Sequence, residues 1–281
     1  MSRTINVDKI INVLSELSVE ANTVLRKDVL GALKKSLQDE TDKRARRILE
    51  AIIQNARLAK KEKIAICQDT GMPVVFVELG RQVRIVGGEL SAAINKGIEK
   101  GYRKGYLRRS IVKDPLKRTG PSGFSPAVAH IKTTGGNRLR LTLMAKGFGS
   151  ENVTTLVMLR PTDGPAEIIK TVVKTVQQKG ANACPPLVLG LGIGGTAEKA
   201  LELSKLALIR PLNRRNPEPH LAGLEKAVLK EVNRLKLGPM GLGGRTTALA
   251  VNILSYPTHI AGLPLGISLS CHALRSAART L

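Results

Sequence analysis

Acidic residues are scarce in this chain: 22 Asp and Glu stand against 45 Lys and Arg, a formal charge of +23 over 281 residues. Aromatic residues make up only 2% and Trp is absent, so the core must be built from Val, Ile, Leu and Ala. No uncharged apolar run is long enough for a membrane-spanning helix. The start, MSRTINVDKIINVL, lacks the apolar stretch and cleavage site of a secretory signal. Cysteine is rare too, and an odd count of three argues against a complete disulfide framework. Together these absences predict a reduced, cytoplasmic protein. Apolar residues recur throughout, no low-complexity tract interrupts them and no internal repeat is present, which argues against disorder; the length admits one large domain or two, and a single domain spanning 1–281 is the expectation.

The basic surplus admits a nucleic-acid-binding protein, since Lys and Arg neutralise phosphates. Yet the basic residues are spread along the chain. The densest cluster, KGYRKGYLRRSIVKDPLKR at 100–118, has no nucleic-acid-binding motif beside it. Attraction of anionic substrates, an acidic partner subunit, or a hot-adapted surface fits the charge at least as well.

Hydrophobic periodicity predicts a mixed α/β (α+β) fold with a helical N-terminal portion, about 1–63, followed by sheet-containing layers over about 64–281. VVFVEL and QVRIVGG read as strands around a turn, and GELSAAINKGIEKGY as a helix. Residues 106–126 form a polar connection long enough to suggest function. AVAHIKTT and RLRLTLMAK flank Gly135-Gly136-Asn137 and read as a β-hairpin. PPLVLGLGIGG reads as a buried strand running into a glycine loop. Helices are expected at 196–207 and 218–235, then strands at TTALAVNIL and PLGISLS.

Two glycine-rich stretches mimic nucleotide motifs. Gly190, Gly192 and Gly195 match G-x-G-x-x-G formally, but the acid expected about 20 residues later is replaced by the basic LIRPLNRRN. GPMGLGGRTTA has Gly238 and Gly243 at phosphate-loop spacing, but Gly244 and Arg245 displace the required Lys. A tight turn leading into a strand is the better reading. Among the histidines, His130 and His220 read as ordinary surface or core residues. His272 follows Cys271 directly, and His259 lies beside a proline. No C-x-x-C or H-x-x-x-H spacing suggests a zinc site.

Each cysteine stands at an element boundary: ICQDTG, ANACPPLVLG and ISLSCHA. Their wide spacing alone favours three unrelated buried thiols. Three thiolates could instead converge on an iron–sulfur cluster, leaving one iron open as a Lewis acid.

Taken in order, ICQDTGMPVVFVELG, AKGFGSENVTTLVMLRPTDG, ACPPLVLGLGIGGTAEKALELSKLALIRPL, GPMGLGGRTTALAV and LSCHA closely resemble the iron–sulfur hydro-lyases. The match is to the α subunit, or N-terminal domain, of class I fumarase and L(+)-tartrate dehydratase, and it covers nearly all the chain. The resemblance implies that Cys67, Cys184 and Cys271 ligate a 4Fe–4S cluster, against the reading from spacing. It implies substrate contacts from Gln68, Asp69, Arg108 and the Gly149 backbone, with Asp69 a participant in catalysis and His259 a supporting residue. It further implies a separate β subunit that completes the site and supplies the main base, an α2β2 assembly, and a dicarboxylate substrate. The reaction implied is reversible hydration of fumarate to (S)-malate, with dehydration of L(+)-tartrate to oxaloacetate as the alternative. Two departures accompany the match. Phe148 stands where some relatives have glycine, and Arg109 adjoins Arg108 as a second candidate for the carboxylate.

Overall fold

The computed structural model describes residues 2–281. The first elements are β1 (Arg3–Asn6), α1 (Val7–Thr23), α2 (Lys27–Asp39), α3 (Lys43–Glu62), β2 (Met72–Gly80), β3 (Val83–Val86) and α4 (Leu90–Lys104). Next come β4 (Val128–Thr134), β5 (Leu139–Lys146), the short α5 (Phe148–Glu151), β6 (Thr155–Leu159) and α6 (Pro165–Lys179). After a 3₁₀ turn at Gly180–Ala183 follow β7 (Leu187–Gly194), α7 (Ala197–Ile209), α8 (Pro219–Arg234), β8 (Ala248–Tyr256), β9 (Leu263–Ser270) and β10 (Ser276–Thr280). The expected mixture of helices and sheets is present. Among the described residues, no helix is long and apolar enough to cross a membrane.

The chain forms two compact units and passes between them four times, once inside α3. The first unit comprises the chain up to Arg26, Ala56–Gly147 and Arg275–Leu281. Its α1 is capped by the Asn6 side chain, which accepts a bond from the Asp8 N–H. Ile10, Leu14, Leu17 and Ala21 recur every three or four residues on α1 and are fully buried. They pack on α4, where Gly97 and Gly101 remove the side chains at the crossing. A Cβ on Gly101 would lie 2.6 Å from both the Ser15 carbonyl oxygen and the Ser18 Cβ. Beneath the helices lies a sheet of order β10-β5-β2-β4, and Val75, Val77, Leu139, Leu141, Leu143 and Ala145 alternate onto its core face.

The strands on either side of Gly135-Gly136-Asn137 do not form the expected hairpin. β2 inserts between them, antiparallel to β5 and parallel to β4. A central run as apolar as MPVVFVELG needs partners for its backbone groups on both edges, and the connection 134–138 crosses over its end to provide them. There Gly80 N donates to the Arg138 carbonyl at 2.9 Å and Gln82 N to that of Gly136 at 3.0 Å. β3 likewise leaves β2 and pairs in parallel with β1.

The second unit comprises Lys27–Asn55 and Phe148–Leu274. Its sheet has the order β6-β9-β7-β8, with β7 and β8 parallel and joined through α7 and α8. The glycine pattern that mimicked a dinucleotide fingerprint has a packing cause. A Cβ on Gly190 would sit 2.0 Å from the Ser204 carbonyl oxygen, and one on Gly192 would sit 2.0 Å from that of Ala200. Glycine is required because the backbone of α7 lies directly on the strand. Gly192→Ala must push α7 off β7, and we expect it to lower the free energy of unfolding by at least about 3 kcal/mol. Urea denaturation checks this; an unchanged midpoint would remove the close approach as the reason for the motif.

Candidate functional site

In the first unit, the loop Cys67-Gln68-Asp69-Thr70-Gly71 enters β2 and is fixed from several elements. Ile66 N donates to the Asn22 carbonyl at 2.9 Å, tying the loop to the last turn of α1. The Asp69 carboxylate accepts a bond from Gly71 N at 2.9 Å. Tyr102, projecting from α4, reaches the carbonyls of Thr70 at 3.1 Å and Gly71 at 3.3 Å. Arg275, only 2% exposed, donates to the Asp69 carbonyl and, at 3.2 Å, to the Asn22 side-chain oxygen. Gly147 leaves room for this arrangement. A Cβ there would lie 3.1 Å from an Arg275 guanidinium nitrogen and 3.3 Å from an Asp69 carboxylate oxygen. Cys67 is half-buried and its thiol donates to the Gln68 amide oxygen at 3.3 Å, while Gln68 itself is exposed.

Burial pushes the Tyr102 hydroxyl up to about 12, although the Arg275 charge and a bond from Asn22 pull the other way. The phenol therefore remains a donor to the loop. A folded-state pKa raised above the unfolded value near 10 gives stability that is complete below about pH 10 and lost between about 10 and 12. The expected loss is roughly 2–3 kcal/mol. Tyr102→Phe should flatten that part of the stability–pH curve, and an unaltered slope would contradict the assignment.

The two arginines after α4 differ in their surroundings. Arg109 lies over the Phe124 ring, 5.4 Å from its centroid. Arg108 donates its backbone N–H to the Thr70 hydroxyl at 3.1 Å, which places it beside the Cys67 loop. Its exposed guanidinium makes no hydrogen bond or ion pair among the described residues. Elsewhere in this unit, His130 stacks on Phe76 with centroids 5.0 Å apart.

In the second unit, Cys184 follows the 3₁₀ turn in a left-handed conformation (φ 52°) and is exposed. Cys271 is half-buried, immediately after β9. The adjacent His272 joins the two: its backbone N–H donates to the Cys184 carbonyl at 3.4 Å, and its Nδ1 lies 3.0 Å from the same oxygen. The GPMGLGG stretch is a tight turn, as expected, and it buttresses Cys184 through Met240 N, which donates to the Pro185 carbonyl at 2.7 Å. Gly149 is exposed, and a Cβ on it would meet only the Asn182 carbonyl oxygen, at 3.6 Å. Phe148 is 47% exposed at the start of α5, so it is not a core residue. His259 is exposed and its Nδ1 accepts from Ala261 N at 3.2 Å. It lines a groove of about 510 Å³ with Thr196, Lys199 and Tyr256. His220 is exposed on α8.

None of the three cysteines is in a disulfide, none is fully buried, and each sits in a loop or at an element end. This disagrees with three buried structural cysteines. Soft thiolate donors within reach of solvent fit an iron–sulfur cluster chemically. Cys67 belongs to the first unit, and Cys184 and Cys271 to the second. Among the described residues, no three His, Cys, Asp or Glu side chains are grouped so as to hold a metal ion. The ligand set of all three cysteines therefore rests on the resemblance.

Sequence reasoning missed Asn22, Tyr102 and Arg275, the residues that fix the loop from beneath. Arg275 carried one signal, a lone charge in the small-residue stretch CHALRSAA. Tyr102 carried another, as a tyrosine directly after the close-packing Gly101 in a chain with only three tyrosines.

A Methanocaldococcus jannaschii protein, provisionally named L(+)-tartrate dehydratase subunit alpha, is 37% identical over 279 residues, covering 97% of this chain and 98% of that protein. The L(+)-tartrate dehydratase subunit alpha of Escherichia coli is 29% identical over 274 residues, covering 96% of this chain and 89% of that protein. Residues 11–280 match the family described as fumarate hydratase (Fumerase). The chain belongs to this family and is a hydro-lyase of the class I fumarase type.

Proposed function

We propose that the chain is the α subunit of an iron–sulfur fumarate hydratase that interconverts fumarate and (S)-malate, working with a separate β subunit in an α2β2 assembly. The observation carrying this reading is Arg108, whose backbone is tethered through Thr70 to the loop of Cys67, Gln68 and Asp69 and whose exposed guanidinium has no hydrogen bond or ion pair among the described residues. In the proposed enzyme Cys67, Cys184 and Cys271 would hold a 4Fe–4S cluster, which would supply Lewis acidity toward the substrate.

This chain's own residues orient the dicarboxylate and manage a proton. The planar Arg108 fork takes a substrate carboxylate bidentately. Gln68, exposed in the Cys67 loop, hydrogen-bonds the substrate, and Gly149 presents backbone without a side chain. Asp69 takes part in proton transfer at the carbon next to the hydroxyl-bearing carbon, with His259 in support. The main base comes from the β subunit.

The names of the relatives favour a second reading, dehydration of L(+)-tartrate to oxaloacetate. The deciding assay uses α and β subunits reconstituted with iron and sulfide without oxygen, comparing kcat/KM for fumarate, malate and L(+)-tartrate. Preference for fumarate and malate is expected. Preference for tartrate would replace the first reading by the second. A complex loaded with iron that turns over none of the three would overturn both.

A further inference from the structure

We propose that residues 105–127 of the first unit are the docking surface for the β subunit, with Tyr106 and Leu116 as apolar anchors and Arg109, Lys113, Lys117 and Arg118 meeting an acidic face. The inference rests on the two-chain reading above.

The segment is rooted in the core at both ends, by Leu107 at 5% exposure and Phe124 at 7%. Between these roots no residue from 108 to 123 is buried. It nevertheless has its own framework. Ile111 and Gly123 exchange backbone bonds of 3.1 and 2.6 Å, and Ala127 N donates to the Asn95 side chain at 3.0 Å. The Asp114 carboxylate accepts from Leu116 N at 2.8 Å and Lys117 N at 2.9 Å. Those backbone bonds, from Lys117 first and Leu116 second, hold it below the usual carboxylate range. A long connection organised in this way, yet covering none of its own core, is more often a binding element than a spacer.

Its apolar side chains point to a protein partner. Tyr106 is 96% exposed and Leu116 91%, the two most exposed large hydrophobics among the described residues. Attraction of a small dicarboxylate would account for the arginines and leave Leu116 without a purpose. Large side chains such as these become anchors when a partner removes them from water.

Two further arguments identify the occupant. Arg108 lies in this segment, so groups from another chain that act on a substrate held there must approach the residues flanking it. Charge supplies the second argument. The first unit has 24 Lys and Arg against 9 Asp and Glu, a net +15, whereas the second has 21 against 13, a net +8. Within the segment five basic residues face one acid, and that acid is already committed to backbone N–H groups. An acidic partner face is complementary.

The test measures affinity between the full-length α chain and the purified β subunit encoded in the same genome, by calorimetry at two salt concentrations. Leu116→Asp and the double variant Lys117→Glu/Arg118→Glu should each weaken association at least about tenfold, and the double variant should also reduce its salt dependence. Thermal unfolding of the α chain should be unchanged in both, because neither site is packed. Wild-type affinity in both variants would overturn the docking surface and leave the two-chain reading intact. Failure of the wild-type chains to associate at all would overturn the two-chain reading itself. If Leu116→Asp instead breaks self-association of the α chain and leaves β binding untouched, the surface serves a second copy and the proposal falls. Loss of duplex DNA binding alone in the charge variant would likewise overturn it, in favour of a nucleic-acid surface.

Discussion

Asp69→Asn is expected to leave the iron content of the reconstituted enzyme at the wild-type level and to lower kcat by about a thousandfold or more. The substitution keeps the shape of the side chain and its ability to accept the Gly71 N–H. The Asp69 backbone is held independently of the carboxylate, since Arg275 bonds its carbonyl and Tyr102 bonds the next two. These backbone bonds are expected to hold the loop, and Cys67 with it, when the charge is removed. What disappears is the charge and the capacity to carry a proton. Substrate affinity should change little, because Arg108 and Gln68 are untouched, so the loss belongs in kcat and not in KM. Turnover within about threefold of wild type would remove Asp69 from proton transfer. Loss of iron along with activity would instead make Asp69 a structural support for the cysteine loop.

What the sequence offered of the candidate site is local in the chain. Cys67, Gln68 and Asp69 are consecutive, and Cys271 adjoins His272. Element types were legible for the same reason: the apolar period of α1 and the buried run of β7 are local patterns. Partnership between distant segments was not. Nothing around Gly135-Gly136-Asn137 shows that β2, more than 50 residues earlier, enters between the flanking strands. Local turn chemistry favoured a hairpin, and the need of a buried central strand for two partners overrode it. The glycines of GLGIGG carried a real constraint with an ambiguous cause. Close approach of a helix and close approach of a pyrophosphate demand the same absence of Cβ. Only the carbonyls of Ala200 and Ser204, facing Gly192 and Gly190, distinguish them.

Arg275 is the furthest from legible, standing 206 residues from Asp69 and 253 from Asn22. It is also the site of the second large expected effect. Arg275→Gln should lower the unfolding free energy by about 2–5 kcal/mol, on the scale of roughly 1–3 kcal/mol for each buried acceptor left without its donor. The Asp69 carbonyl and the Asn22 side-chain oxygen would each lose a buried donor. Assayed well below the unfolding midpoint, the variant should lose kcat by about a hundredfold with KM nearly unchanged, since a loosened loop misplaces Asp69. Arg275→Lys retains the charge but not the rigid planar geometry that brings Nη1 to both acceptors, so it should recover stability more than turnover. That split separates positioning from mere support, which would restore both together. A rise in KM with kcat preserved would mean that Arg275 binds the substrate itself, contrary to its 2% exposure. Under the positioning role, the buried guanidinium fixes where the acid stands, while the exposed guanidinium of Arg108 fixes where the substrate lies.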